Sequence, residues 1–219
     1  LFDGQRAGAL RVHRRDGAAK TVAARREIIL SAGSIGSPQI LELSGVGQGE
    51  LLAERGIETL HALPGVGENL SDHLQVRAAF RVSGVSTLNT RIKSLGGRAA
   101  MALDFALRRR GPLTMSPSQL GVFCKSDPSR ETANLQYHVQ PLSLDAFGEP
   151  LHGFDAFTAS VCNLRPESRG SVHVRTSSFR DAPSIAPNYL SAPADRQVAA
   201  DALRLTRRIV AQQALERYR

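Results

Sequence analysis

Residues 27–47 read EIILSAGSIGSPQILELSGVG, and the reading of the fold starts from how the texture of that stretch changes. Glu27–Leu30 is a short apolar run closed by Ser31, Ala32 and Gly33. A run of that length without polar alternation predicts a strand buried on both faces, as in a parallel sheet. Ser37 and Pro38 then read as the N-cap and first residue of a helix that packs through Ile40, Leu41 and Leu43 and stops at Ser44-Gly45. A second short helix over 50–55 ends at Gly56. Strand, small-residue turn and helix start thus follow one another. Backbone N–H groups at such a start point outward with partial positive charge. The order suits a nucleotide-cofactor edge in a doubly wound sheet. It equally suits an ordinary strand–helix connection, since Gly and Ser are the usual residues of such turns.

Working outward, Ala9–Arg14 and Thr21–Arg25 flank Asp16-Gly17, the pattern of a hairpin. Beyond residue 74 the chain changes character. Segments 75–82, 120–125, 135–139, 157–164 and 171–175 read as strands separated by turn clusters, which predicts a mostly antiparallel sheet. A helix over 95–109 places Leu95, Ala99, Ala102 and Ala106 on one face before Gly111-Pro112 stops it. The last helix has Ser191 as N-cap, Pro193 and Asp195 in its first turn, and an apolar face of Val198, Ala202, Leu205 and Ile209. The expected fold class is α/β (α+β). Residues 1–74 form part of a Rossmann-like cofactor domain, 75–190 a second domain on an antiparallel sheet, and 191–219 a helix cut at the chain end. The chain starts at Leu1 rather than Met, and no Gly or Pro closes the last helix, so an internal piece of a longer protein is expected.

Composition narrows the function classes. The 219 residues are 42% hydrophobic, which supports a real core, and 19 Gly with 11 Pro exclude a collagen-like or low-complexity chain. No stretch approaches the roughly 18 uncharged apolar residues of a spanning helix, so no membrane span is expected. Nor is there a signal-peptide core. Cys124 and Cys162 are too few for a disulfide framework or a zinc site and sit in strand patterns, which predicts small buried hydrophobes, no metal and a reducing cytoplasm. Net charge is +8, carried by 25 Arg and only three Lys. The clusters Arg14–Arg15, Arg108–Arg110 and Arg207–Arg208 are short, scattered and not interleaved with aromatics, so nucleic acid is not expected as a partner. An anionic cofactor stays open, because the guanidinium fork suits phosphate.

The literal residues go further. Residues 33–47, GSIGSPQILELSGVG, resemble the second signature of the glucose–methanol–choline (GMC) oxidoreductase family at every constrained position. Residues 63–73, LPGVGENLSDH, resemble a second hallmark, with Ser71 where the family usually has Gln. Gly111-Pro112-Leu113-Thr114, residues 164–170 (LRPESRG) and 186–190 (APNYL) resemble later landmarks, the last two closest to the choline-dehydrogenase-like branch.

The resemblance implies FAD held in a Rossmann-like domain, an antiparallel sheet roofing the flavin, and hydride transfer from a small-molecule alcohol to the flavin. It places Ala32, Gly33, Ser34 and Ser37 in the turn beside FAD, and Asn69, Asp72 and His73 in the segment covering it. His73 reads either as a base or as a hydrogen-bonded structural residue beside Asp72, His138 and His152 as candidates to line a pocket, and His138 alternatively as a sheet-face residue. The family's catalytic histidine belongs to a motif beyond Arg219, so no catalytic residue is assigned. The dinucleotide GxGxxG has only lookalikes, at 45–50 and 65–70. The electron acceptor is open, as is the alcohol: a quaternary ammonium would favour an aromatic cage, and this chain has no Trp and three Tyr. The alternative reading is a non-catalytic remnant or binding module of the same fold.

Overall fold

The computed structural model describes residues 1–14, 16–116 and 118–218; Arg15 of the Arg14–Arg15 cluster lies outside the described residues, as do Pro117 and Arg219. Two compact units form, 1–71 with 168–189, and 72–167 with 190–219. The sequence divides the chain linearly at 74 and 190. The first unit is instead discontinuous, because residues 168–189 return to pair with it.

The first unit opens with a small antiparallel pair, β1 (Phe2–Asp3) and β2 (Arg6–Ala7). The expected hairpin follows as β3 (Ala9–His13) against β4 (Ala19–Ala23), with Leu10 opposite Val22. Its turn works because Gly17 takes φ +85° and the Asp16 carboxylate accepts the Ala18 N–H at 3.0 Å. Segment 27–32, expected as a buried strand, joins no ladder among the described residues, and Ile29 is 81% exposed. A two-face-buried strand needs a neighbour on each side to take its backbone groups, and the described residues supply none. Helix α1 (Gly33–Leu43) begins before Ser37 and ends at Ser44, with Gly45 at φ +82°. β5 (Val46–Gly47) pairs in parallel with β6 (His61–Ala62), and α2 (Gly49–Glu54) lies between them.

The second unit is built on β7 (Gln75–Arg81), β8 (Leu120–Cys124), β9 (Leu135–Gln140) and β10 (Ala156–Asn163) in the order β7-β10-β9-β8, every pairing antiparallel. The fifth expected strand does not join this sheet. It forms β11 (Ser171–His173) and pairs with β12 (Ser184–Ala186) in the first unit. Helices α3 (Leu88–Arg91) and α4 (Leu95–Arg108) bridge β7 and β8 in sequence. Helix α5 (Pro193–Val210) lies on the sheet, and the short α6 (Gln213–Glu216) follows.

Period-two alternation puts Val76, Phe80, Leu135, Tyr137, Ala159 and Val161 on one sheet face, packed against Val198, Ala202 and Leu205 of α5. Tyr137 keeps its hydroxyl satisfied there through Thr206 Oγ1 at 2.9 Å. The other face is polar: Arg77 pairs across to Ser160, and Ser160 to His138. Cys162 is buried and Cys124 half-buried, as expected, and burial pushes both thiols up from their ordinary pKa.

Four helix expectations are corrected. The N-cap of α5 is Ala192, not Ser191, with Pro193 at the first helical position. Its apolar stripe drifts along the i+4 row, so Thr206 and Val210 are buried while Ile209 is 42% exposed. The helix also ends at Val210 rather than running on, as Gln212 turns extended and its amide bonds the Arg208 carbonyl at 2.9 Å. For α4, Leu95, Ala99, Ala102 and Ala106 face outward, and Met101 is the buried residue.

Asp155, just before β10, gathers the start of α3: its Oδ1 accepts from Thr87 N at 2.6 Å, Thr87 Oγ1 at 3.0 Å and Thr90 Oγ1 at 2.6 Å. Partial burial works to raise the carboxyl's pKa, but the three hydrogen bonds outweigh it and hold it below the ordinary aspartate value. A depressed folded-state pKa adds stability that is complete at neutral pH and lost as pH falls through it. Asp155→Asn is therefore expected to lower the urea midpoint at about pH 7 and to change it less at about pH 3. A midpoint loss of equal size at both pH values would refute this account.

Candidate functional site

The start of α1 carries four of the residues expected beside the cofactor, Ala32 as N-cap and Gly33, Ser34 and Ser37 in the helix itself. Ala32 is the N-cap, and its N–H donates to Ser37 Oγ at 3.1 Å. Ser37 therefore pins the residue before the helix instead of capping a helix that starts after it. Gly33 takes φ +76°, a conformation that costs an L side chain about 1–2 kcal/mol, with nothing within 4 Å of where a Cβ would stand. Pro38 lies inside the helix. Having no N–H, it leaves the Ser34 carbonyl without its i+4 donor. The first N–H groups of α1 have no partner within the helix either. Residues 31–34 are exposed, so these donors face solvent from a surface without bulk. Such a surface fits close approach of a flat or phosphorylated cofactor.

The far end of α1 is anchored by a residue the sequence reading missed. Glu42 is fully buried in the first unit. One of its carboxylate oxygens accepts the Val174 N–H at 2.7 Å, and the other lies 2.7 Å from His173 Nδ1. The other ring nitrogen of His173 lies 3.1 Å from Glu68 Oε1, which also accepts from Gln48 Nε2 at 2.7 Å. One chain of polar contacts thus ties the 33–47 motif, through β11, to the 63–73 motif. The available signal was a lone carboxylate inside the apolar run of residues 40–43.

Within the 63–73 motif the backbone is held on both sides of Asn69. Gly67 O accepts from Val172 N at 2.7 Å, and Leu70 and Gly170 exchange two backbone bonds of 2.9 and 2.8 Å. Between those clamps Asn69 stands exposed at φ +61°, one of the few side chains that tolerates the left-handed region. Its amide is therefore presented at a fixed tip.

Asp72 and His73 belong to the second unit. There His73 Nε2 donates to the Leu164 carbonyl at 3.1 Å. A carbonyl only accepts, so that nitrogen carries the proton and the ring is held by backbone. His152 has both ring nitrogens engaged, Nδ1 with Ser143 Oγ at 2.9 Å and Nε2 with Asp145 at 3.1 Å, and so acts as a loop brace. His138 sits on the polar sheet face. Among the described residues, no group of three or more His, Cys, Asp or Glu is placed to hold a metal ion.

Asp195, read in the sequence as a helix-dipole residue, is buried and does more. Its Oδ1 accepts from Asn163 Nδ2 at 3.1 Å and Glu167 N at 2.9 Å, fastening the end of β10 and the middle of the LRPESRG segment to α5.

Comparison with known proteins identifies the family. Residues 1–75 and 166–218 match the N-terminal and C-terminal family profiles described as GMC oxidoreductase. The oxygen-dependent choline dehydrogenase of Chromohalobacter salexigens is 37% identical over 218 residues, covering 100% of this chain and 39% of that protein. The protein of the same name from Pectobacterium atrosepticum is also 37% identical, over 219 residues, with the same coverage. The chain thus spans well under half of the curated relatives' length. Among solved structures, pyridoxine 4-oxidase from Mesorbium loti superposes with TM-score 0.79 at 23% identity, over 100% of this chain and 38% of that one. An FAD-dependent oxidoreductase from Chaetomium thermophilum gives 0.81 at 22%, over 99% and 44%. These two show the fold. With both signature motifs folded around α1 and the Asn69 tip, and two profiles together covering more than half its length, the chain belongs to the GMC oxidoreductase family.

Proposed function

We propose that this chain is the central part of an FAD-dependent oxidoreductase acting on the CH–OH group of a small alcohol. The observation that carries the reading is the α1 start, where a positive-φ glycine and outward N–H donors leave open space beside the backbone. FAD, the cofactor of this family, supplies the hydride acceptor when bound. Gly33 and Ser34 would present backbone donors to it, and Ser37 would hold Ala32 beside it by accepting the Ala32 N–H. Asn69 would offer its amide from the clamped tip, and Asp72 and His73 would contribute from the segment that follows.

The polar face of the four-stranded sheet is the surface proposed to meet the alcohol. It carries Arg77, His138 and Ser160, and strands β7–β10 contain no Asp or Glu. A cationic alcohol would find neither a carboxylate nor an indole there, so the choline named in the relatives is not carried over. On its own the 219-residue chain is proposed not to turn over, as neither a GxGxxG cradle nor the family's catalytic histidine motif is among its residues.

The test is to purify the polypeptide as its gene encodes it, record the flavin absorption, and add uncharged, anionic and cationic alcohols without oxygen. Bleaching of a bound flavin by at least one alcohol is expected. A preparation without flavin would withdraw the cofactor reading. Flavin that none of the alcohols reduces would leave the binding-module alternative.

A further inference from the structure

His173 of β11 stands between two carboxylates that belong to different motifs. Its Nδ1 lies 2.7 Å from Glu42 Oε1 on α1, and its Nε2 lies 3.1 Å from Glu68 Oε1, next in sequence to the Asn69 tip. Both carboxylates are engaged by further donors. Glu42 Oε2 takes the Val174 N–H at 2.7 Å, and Glu68 Oε1 also takes the Gln48 amide at 2.7 Å. The ring is fitted against the turn as well, since a Cβ at Gly67 would come 2.7 Å from Nδ1 and 2.8 Å from Cε1. All of these residues lie in the first unit. Glu42 is fully buried, and the His173 side chain is 16% exposed.

This arrangement constrains the protons. An ionised carboxylate only accepts hydrogen bonds, so a ring nitrogen facing one must donate. A neutral imidazole has a single N–H and can serve one carboxylate, whereas the doubly protonated ring serves both. A buried carboxylate is costly without a cation beside it, and the basic residue that meets both Glu42 and Glu68 is His173. The competing placement puts one proton on Glu42, whose acid hydroxyl would donate to a neutral ring. The Val174 N–H opposes it, because a backbone donor on a carboxylate favours the ionised form.

We propose that His173 is a doubly protonated bridge that holds the 33–47 and 63–73 motifs at one spacing, and thereby a positioning residue for the flavin that they face. Only the flavin part rests on the proposed function. The protons on the ring and the coupling of the two motifs do not.

The test begins with the gene-encoded polypeptide labelled with nitrogen-15 at histidine, the His173 signals being those lost in His173→Gln. Nitrogen NMR is expected to show both ring nitrogens protonated at neutral pH, and a ring with one bare nitrogen overturns the proposal. His173→Arg keeps a cation with donors in several directions, and its flavin release is expected to stay within about twofold of wild type. His173→Gln turns an acceptor oxygen toward one carboxylate, and roughly tenfold faster release is expected. Equal loss in the two variants overturns the proposal, since a residue that only filled space would gain nothing from charge. Glu68 is 40% exposed, so Glu68→Gln is expected to leave the fold intact. In a double-mutant cycle on urea unfolding, His173→Gln with Glu68→Gln is expected to lose little more than His173→Gln alone. Additive losses would separate the two residues and overturn the bridge. A polypeptide without flavin sinks the proposed function, while the ring signals and the urea cycle still decide whether His173 is the bridge.

Discussion

Glu42→Ala is expected to remove about 3 kcal/mol of stability and to lower flavin occupancy without touching the flavin. The carboxylate is fully buried and accepts from two donors, the Val174 N–H and the His173 ring. Truncation leaves the buried Val174 N–H without a partner and takes one of the two contacts of the His173 ring, and the loss of a buried acceptor costs more than an ordinary hydrogen bond contributes. The damage extends beyond one contact, because His173 also meets Glu68, and Glu68 holds Gln48. Urea unfolding of the gene-encoded polypeptide measures the first effect, and the flavin-to-protein absorbance ratio measures the second. Glu42→Gln keeps the shape but turns an NH2 group toward a donor, and an intermediate loss is expected. A midpoint unchanged by Glu42→Ala would show that this network does not support the fold.

Gly67→Ala is expected to cost at least about 2 kcal/mol and to displace the Asn69 tip. Two effects add at this site. Gly67 is at φ +82°, and its Cβ would come 2.3 Å from the Val172 carbonyl oxygen and 2.7 Å from His173 Nδ1. The first of these neighbours is backbone already engaged with this turn, so it cannot step aside as a flexible side-chain end would. Gly33→Ala separates the two effects: φ is similar at +76°, but nothing lies within 4 Å. That variant should lose only the conformational part, and it should lose flavin if the open space before α1 is where the cofactor approaches. Equal midpoints for the two variants would mean that the crowding at Gly67 relaxes freely.

Much of the local structure was readable in the chain itself. Asp16-Gly17 predicted its hairpin because turn chemistry acts over a few residues. The four strands of the second unit were visible in their alternation, with boundaries shifted by a residue or so. The two motifs identified the family because their constrained positions are spelled out in residue types. Helix starts were read less well. Ser37-Pro38 has the composition of an N-cap and first turn, yet the helix begins at Gly33, since the serine is used to hold the Ala32 N–H.

What sequence alone determined, then, is the family and the secondary structure that rests on short-range patterns of period two or 3.6 and on turn residues. Only the tertiary structure decided the rest. It returned residues 168–189 to the first unit, where β11 pairs with β12 and Leu70 with Gly170. It turned Leu95, Ala99, Ala102 and Ala106 of α4 outward, though the same stripe on paper reads as a packing face. It buried Glu42 against His173, 131 positions along the chain. The physical reason is common to the three. A pattern shows that a face is apolar or that a carboxylate needs donors, but the partner comes from a distant segment whose arrival depends on the whole chain closing its hydrogen bonds and core at once.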